Sequence, residues 1–205
     1  MKTDTNPDDD FTIQTNTPRR TIEYIEDAEV KRSYTKFVNG ERHEIQCVNP
    51  GDDHDEASNL VTITRRNTNG VGIHRNAVQS ISYPDGTAEI YQYDPYVIGT
   101  NGSYPTLRTN VILRGVPTDS SVTNISEGSK TLIVIGALGQ TLTNTVIDVL
   151  SGVITSREIY QYDYRNRLTN TIYLDATTVS QTYDDNCNCG LLESRVERDG
   201  TTNIF

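Results

Sequence analysis

Four carboxylates fall within five consecutive positions of the segment GDDHDE (51–56): Asp52, Asp53, Asp55 and Glu56. Carboxylate oxygens at that density are what a loop offers to a hard cation such as Ca²⁺. The spacing is not that of an EF-hand, and no glycine falls inside the cluster to supply the sharp turn such a loop uses. The segment therefore reads as a solvated acidic loop, and these four residues are the chain's only, and weak, metal candidates. Cys47, Cys187 and Cys189, with His43, His54 or His74, are the donor types of a zinc site. No spacing among them fixes a tetrahedral geometry, and no tightly bound zinc is expected. The acidic cluster with His43 or His74 is also what a hydrolase would use. The chain has no G-x-S-x-G and no phosphate-loop pattern, however. No catalytic constellation and no cofactor are expected.

The composition fits a sheet better than an enzyme pocket. Of 205 residues, 34% are apolar, 12 are Tyr, 3 are Phe and none is Trp. Thr, Asn, Ser and Asp are abundant; they suit turns and exposed strand faces and disfavour helices. Tyrosine forms strands and carries a polar tip, which suits half-exposed sheets. The net charge of −10 repels phosphate backbones, so neither nucleic acid nor an anionic membrane surface is an expected partner. No apolar run is long enough for a transmembrane helix. The first twenty residues lack the apolar stretch of a signal peptide. The odd cysteine count argues against a disulfide-stapled scaffold, and a Cys187–Cys189 bridge across one residue would be strained.

The elements that must position any site are short runs of β-formers between turn signals. Residues 1–20, polar and carrying DDD at 8–10, read as a flexible tail. EVKRSYTKFV (29–38) and ERHEIQCV (41–48) flank Asn39-Gly40, a two-residue hairpin signal. LVTITRR (60–66) alternates with period two. VQSISY (78–83), PDGT (84–87) and AEIYQYD (88–94) read as strand, turn and strand, with 95–106 as loop. LRTNVILRGV (107–116) and KTLIVIGALG (130–139) hold most of the apolar residues. QTLTNTVIDVL (140–150) and VITSREIYQYD (153–163) form a long hairpin about Ser151-Gly152. Apolar residues nowhere hold a 3.6 period for three turns, so no substantial helix is expected.

One phrase occurs twice. EIYQYD spans 89–94 and again 158–163. DGTAEIYQYD runs from Asp85 to Asp94, and DATTVSQTYD from Asp175 to Asp184, so the leading Asp precedes the closing one by nine residues in both. DGTTNIF begins at Asp199, with Gly200 next and Phe205 where Tyr91 stands in the first copy. From Asp163 to Asp184 is 21 residues, the size of one supersecondary unit that stacks on its neighbours. Within a copy, Tyr91 and Tyr93 share one strand face with Glu89, and Asp94 closes the strand where it can bond the next turn.

This order of Tyr-Asp, Arg-Leu-Thr, Asp-Gly turn and returning strand resembles the YD repeat of Rhs-type proteins, over roughly 78–94 and 153–205. RLTNTIYLD matches the Arg-Leu-Thr segment through Arg167 and Leu168, with Asn166 where Gly is typical, and Ala176 stands where the turn Gly is typical. The resemblance implies an all-β fold of antiparallel β-hairpin repeats stacked into an extended, curved sheet, a partial β-shell. It implies a non-catalytic structural or binding module of a bacterial protein that is extracellular or linked to the cell surface. In full-length proteins of that family dozens of repeats form a hollow shell that encapsulates a toxic domain, whereas this chain has too few repeats to enclose anything and is expected to be a fragment. The repeat positions Asp85, Gly86, Tyr91, Tyr93, Asp94, Tyr160, Tyr162, Asp163, Arg167, Leu168, Asp175, Tyr183, Asp184, Asp199 and Gly200 are then expected to hold the sheet. The domain reading is a tail (1–20), an N-terminal β region (21–75) and a repeat array (76–205) that stops mid-repeat. Expected partners are neighbouring repeats or domains of a longer parent chain. A carbohydrate-binding β-domain with a Tyr-rich face is the alternative.

Overall fold

A computed structural model describes residues 2–5, 19–25, 28–49, 52–53, 55–66, 77–93, 107–184 and 190–205. The protein is all-β: the described residues form fifteen strands and no helix. Each strand neighbours the ones before and after it in sequence, so the topology has no crossover. The chain divides into two compact units, Met1–Tyr91 with Arg114–Ile125, and Gln92–Leu113 with Ser126–Phe205.

In the first unit β1 (Lys2–Thr5), β2 (Arg19–Ile25), β3 (Ala28–Val38), β4 (Glu41–Gln46), β5 (Leu60–Arg66), β6 (Val78–Ser82) and β7 (Ala88–Tyr93, whose last two residues belong to the second unit) pair antiparallel in succession. The stretch 1–20 was expected as a tail. It contributes β1 and the start of β2, with Lys2 opposite Tyr24 and Thr5 opposite Thr21. Between β3 and β4 the turn holds Asn39 at φ 52° and Gly40 at φ 84°, the doubly left-handed pair that matches the twist of the flanking strands. The core follows from register. Tyr34, Ile45 and Val61 lie directly opposite one another across β3, β4 and β5, and Tyr34 and Ile45 cluster with Cys47. Ile45 is 1% exposed.

The loop 49–59 is tied down by backbone groups. Arg32, the Tyr34 hydroxyl and the Cys47 thiol all donate to the Asp52 carbonyl, at 3.3, 3.3 and 3.7 Å. Asn59 Nδ2 donates to the carbonyls of Asp53 and Asp55, at 2.8 and 2.7 Å.

β8 (Leu107–Pro117) runs from the second unit into the first. In the second unit β9 (Ile125–Gly136, whose first residue belongs to the first unit), β10 (Thr141–Asp148), β11 (Ile154–Tyr162), β12 (Leu168–Tyr173), β13 (Thr178–Tyr183), β14 (Leu192–Val196) and β15 (Thr202–Ile204) are again joined antiparallel in succession. The β10–β11 turn at 149–152 places Gly152 at φ 70°. Register shifts fall between Gln161 and Tyr162 in β11 and between Thr182 and Tyr183 in β13. A bulge re-aims the side chain beside it, and here it sits at the tyrosines that precede Asp163 and Asp184.

Candidate functional site

The repeat positions gather into two small devices. The first is a turn that occurs three times. In it, the residue two before Asp accepts from the backbone N–H of the residue after Asp, and donates its own N–H to the carbonyl of the following Thr. The closing bonds are Tyr83 to Thr87 at 2.9 Å, Tyr173 to Thr177 at 2.9 Å and Glu197 to Thr201 at 2.8 Å. The aspartate Oδ1 accepts the threonine N–H in all three, for Asp85, Asp175 and Asp199, at 2.9, 3.1 and 2.9 Å. The threonine hydroxyl adds a second bond at Asp85 and Asp175, at 2.7 and 2.6 Å. These bonds favour the ionised carboxylate, so all three aspartates sit below their ordinary pKa, through the Thr87 and Thr177 hydroxyls and the Thr201 N–H first of all. The residue after Asp has φ of 83° at Gly86, 64° at Ala176 and 83° at Gly200. Glycine reaches that region freely; alanine reaches it only under strain.

Asp163 makes a fourth turn by another route. Its carboxylate occupies the first turn position, and Oδ1 accepts the N–H groups of Arg165 and Arg167, both at 2.9 Å. Oδ2 accepts Arg167 Nε at 2.7 Å. Asn166 takes the left-handed place, φ 61°. Burial works to raise the Asp163 pKa, and the bonds and charge of Arg167 outweigh it, so the net shift is downward. The backbone N–H of Asp184 donates to the Leu191 carbonyl at 3.0 Å, across a longer loop.

The second device is a set of tyrosine rungs. The hydroxyls of Tyr162 and Tyr183 each donate, at 2.8 Å, to the carbonyl of the first residue of the preceding strand, Thr141 of β10 and Leu168 of β12. In both copies of EIYQYD the first tyrosine bonds the glutamate two residues before it, Tyr91 to Glu89 and Tyr160 to Glu158. Burial first, then that glutamate, pushes the Tyr91 phenol up to about 12 and raises Tyr160 likewise. Arginines cover other rings. Arg167 lies 4.6 Å from the Tyr183 centroid and Arg198 lies 4.3 Å from that of Tyr173. Arg198 also bonds Asp175, and its Nε donates to the Thr177 hydroxyl at 2.8 Å, so the turn at 199–201 is tied to the turn 24 residues earlier. Tyr93 is half-buried. Asp94 lies outside the described residues.

Sequence reasoning missed Thr87, Thr177, Thr201, Glu158, Tyr173 and Arg198. The Asp-x-Thr spacing, shared by 85–87, 175–177 and 199–201, was the available signal for the threonines. Nothing local marks Arg198, whose partners lie 21 to 25 residues away.

The acidic loop does not converge on a point. Asp52 Oδ2 accepts the Asn49 N–H at 3.0 Å, Asp55 Oδ1 accepts the Ala57 N–H at 3.1 Å, and Asp53 is exposed. Glu56 leaves the loop to meet Lys36 at 2.7 Å and His43 Nδ1 at 2.8 Å. Burial alone would raise its pKa; the bonds from Lys36 and His43 lower it overall. Glu41 stands 3.6 Å from His43 Nε2 and pairs with Arg65 at 2.8 Å. The structure thus joins Glu56 to His43 and separates it from Asp52, Asp53 and Asp55. His54, His74, Cys187 and Cys189 lie outside the described residues, and Cys47 is a buried thiol with no disulfide partner among the described residues. Among the described residues no helix is long and apolar enough to cross a membrane.

Compared with known proteins, the chain matches no family model and no curated protein.

Proposed function

We propose that the chain is a non-catalytic structural module of a Rhs-type YD-repeat protein, a stretch of β-shell in a longer bacterial parent that is exported or surface-linked. The observation that carries this reading is the equivalence of Tyr162 and Tyr183. Each is followed by aspartate, sits at a bulge and bonds the first carbonyl of the preceding strand at 2.8 Å. Side chains spent in this way tie one hairpin to the next, which is the work of an array whose purpose is its own wall. In the parent that wall would enclose a toxic domain.

The observations give the other readings less support. Among the tyrosines whose side chains are described only Tyr164 is exposed, so the described residues offer no open tyrosine face for sugar stacking. Glu56, the one acidic-loop residue that reaches His43, is neutralised by Lys36.

The test is the reading frame past codon 205. Further Tyr-Asp pairs near the 21-residue spacing are expected. A chain extended by one natural repeat should melt higher and self-associate less. An adjacent stop codon, with this chain monomeric at high concentration, overturns the reading.

A further inference from the structure

The arginines around the β12–β13 turn are mostly committed. Arg167 is held by Asp163, and Arg198 by Asp175 and Thr177. Arg157 of β11 is different. No hydrogen bond or ion pair joins its side chain to any described residue, and its Nε is buried without a partner. Arg167 and Arg198 each hold a carboxylate, and the half-buried Arg157 guanidinium holds none among the described residues, which leaves it open to an anion. Arg157 lines a cleft of about 350 Å³ beside the β12–β13 turn, with Thr155, Ser156, Leu174, Asp175 and Arg198. That volume lies within the range of small-molecule sites, ~300–1,000 Å³.

Charge and shape narrow the ligand. Asp175 neutralises Arg198, which leaves one unspent positive charge in the cleft, on Arg157. A dianionic phosphate would meet that single charge and the Asp175 carboxylate together. A carboxylate matches it in charge, and its two oxygens match the planar fork of a guanidinium. The Ser156 hydroxyl is unengaged among the described residues, and Thr155 uses only its proton, on the Val146 carbonyl at 3.3 Å. Both remain able to bond a ligand hydroxyl. Exposed Leu174 offers an apolar contact for the carbon skeleton.

We propose that this cleft binds a carboxylate carried on a hydroxylated carbon skeleton. Arg157 holds the carboxylate and Ser156 a neighbouring hydroxyl. A free sugar acid and an acidic residue of a polysaccharide present the same chemistry. The proposal does not depend on the structural reading above.

The test titrates the whole ¹⁵N-labelled chain with D-glucuronate, D-glucose, acetate and a trigalacturonate, read by two-dimensional NMR. Glucuronate should give saturable shifts in the millimolar range, confined to amides of 154–157 and 173–176. Glucose and acetate should bind at least about tenfold more weakly, as should glucuronate to Arg157→Gln, through loss of a charge-assisted pair. Ser156→Ala, which leaves the arginine in place, should weaken it by a smaller factor. Tighter binding of trigalacturonate than of the monomer assigns the polysaccharide source, and equal binding assigns the free acid. Absence of saturable shifts with glucuronate, or unchanged binding by both variants, overturns the proposal. Acetate binding as well as glucuronate overturns the hydroxylated skeleton.

Discussion

The two units hold themselves together by different means. Among the described residues, eight of the ten buried apolar ones, Ile22, Tyr34, Ile45, Cys47, Ala88, Ile90, Val122 and Ile125, belong to the first unit. Leu113 and Val179 are the two in the second. The first unit folds a loop against a sheet and shields a small apolar cluster beneath it. The second shields almost nothing completely. Its side chains are half-buried, and what recurs from strand to strand is polar: aspartate in the turn, arginine on the ring, tyrosine on the neighbouring carbonyl. An apolar core needs particular residues at particular depths, and it yields an irregular sequence. Polar rungs can be copied, because each is completed by residues one hairpin away. Sequence repetition is densest in the unit in which stability is assembled locally; the unit with a core holds only the first copy of the phrase, from Asp85 to Tyr91.

That contrast can be broken by substitution. The largest effect belongs to Ile45→Ala, which empties the centre of the first unit's cluster and should cost about 2–5 kcal/mol, measured by denaturant unfolding. A cost under ~0.5 kcal/mol would mean that the cluster does not hold that unit.

In the second unit Arg167→Ala removes the partner of a half-buried carboxylate and uncovers the Tyr183 ring. About 1.5–3 kcal/mol is expected, with faster hydrogen exchange across β12–β14. If exchange in those strands is unchanged, the rungs are ornaments of the fold.

Tyr162→Phe and Tyr183→Phe each delete one hydroxyl and leave a carbonyl unmatched. Each should cost about 0.5–1.5 kcal/mol, with Tyr183→Phe also removing the contact of its hydroxyl with Gln181 Oε1 at 3.0 Å. No measurable cost at either position would sever the equivalence on which the structural reading rests.

Ala176→Gly should stabilise by up to ~1 kcal/mol, since glycine adopts the left-handed turn conformation without a Cβ penalty. Thermal melting decides the sign.

The smallest signal is acid titration of the turn aspartates. Asp85, Asp175 and Asp199 have folded pKa values below the unfolded value of about 3.9. Their contribution is therefore complete above that value and is lost as pH falls through the folded pKa. NMR titration should place all three midpoints below the ordinary aspartate, and Thr177→Val should move Asp175 upward. A normal midpoint for Asp175 in the parent protein would contradict its turn geometry.

Much of the fold was legible because period-two alternation and turn chemistry are local. LVTITRR (60–66) is β5 to the residue, and the turns at Asn39-Gly40, 84–87 and 150–153 fall where Pro, Asn, Asp and Gly place them. β1 was not legible. KTDT is polar and short, and its pairing with β2 depends on Thr21–Tyr24 opposite it, not on its own composition. The polar rungs were half legible. Tyrosine and aspartate announce themselves by recurrence, but the carbonyl that Tyr162 reaches carries no side-chain signature, since any residue supplies one. Arg157 was invisible for the opposite reason: an arginine in a strand draws notice only when its surroundings leave it without a partner.

Strand order that follows chain order has a kinetic meaning. Where each strand pairs only with its sequence neighbours, every closure is local, across no more than 13 residues, and costs little entropy. Topologies of this kind fold fast for a β protein, because few pairings must wait for distant chain to arrive. Each new hairpin emerging from the ribosome finds its docking edge already formed. Assembly can then proceed in the direction of synthesis, one hairpin behind the exit, with no step that requires the last strand to find the first.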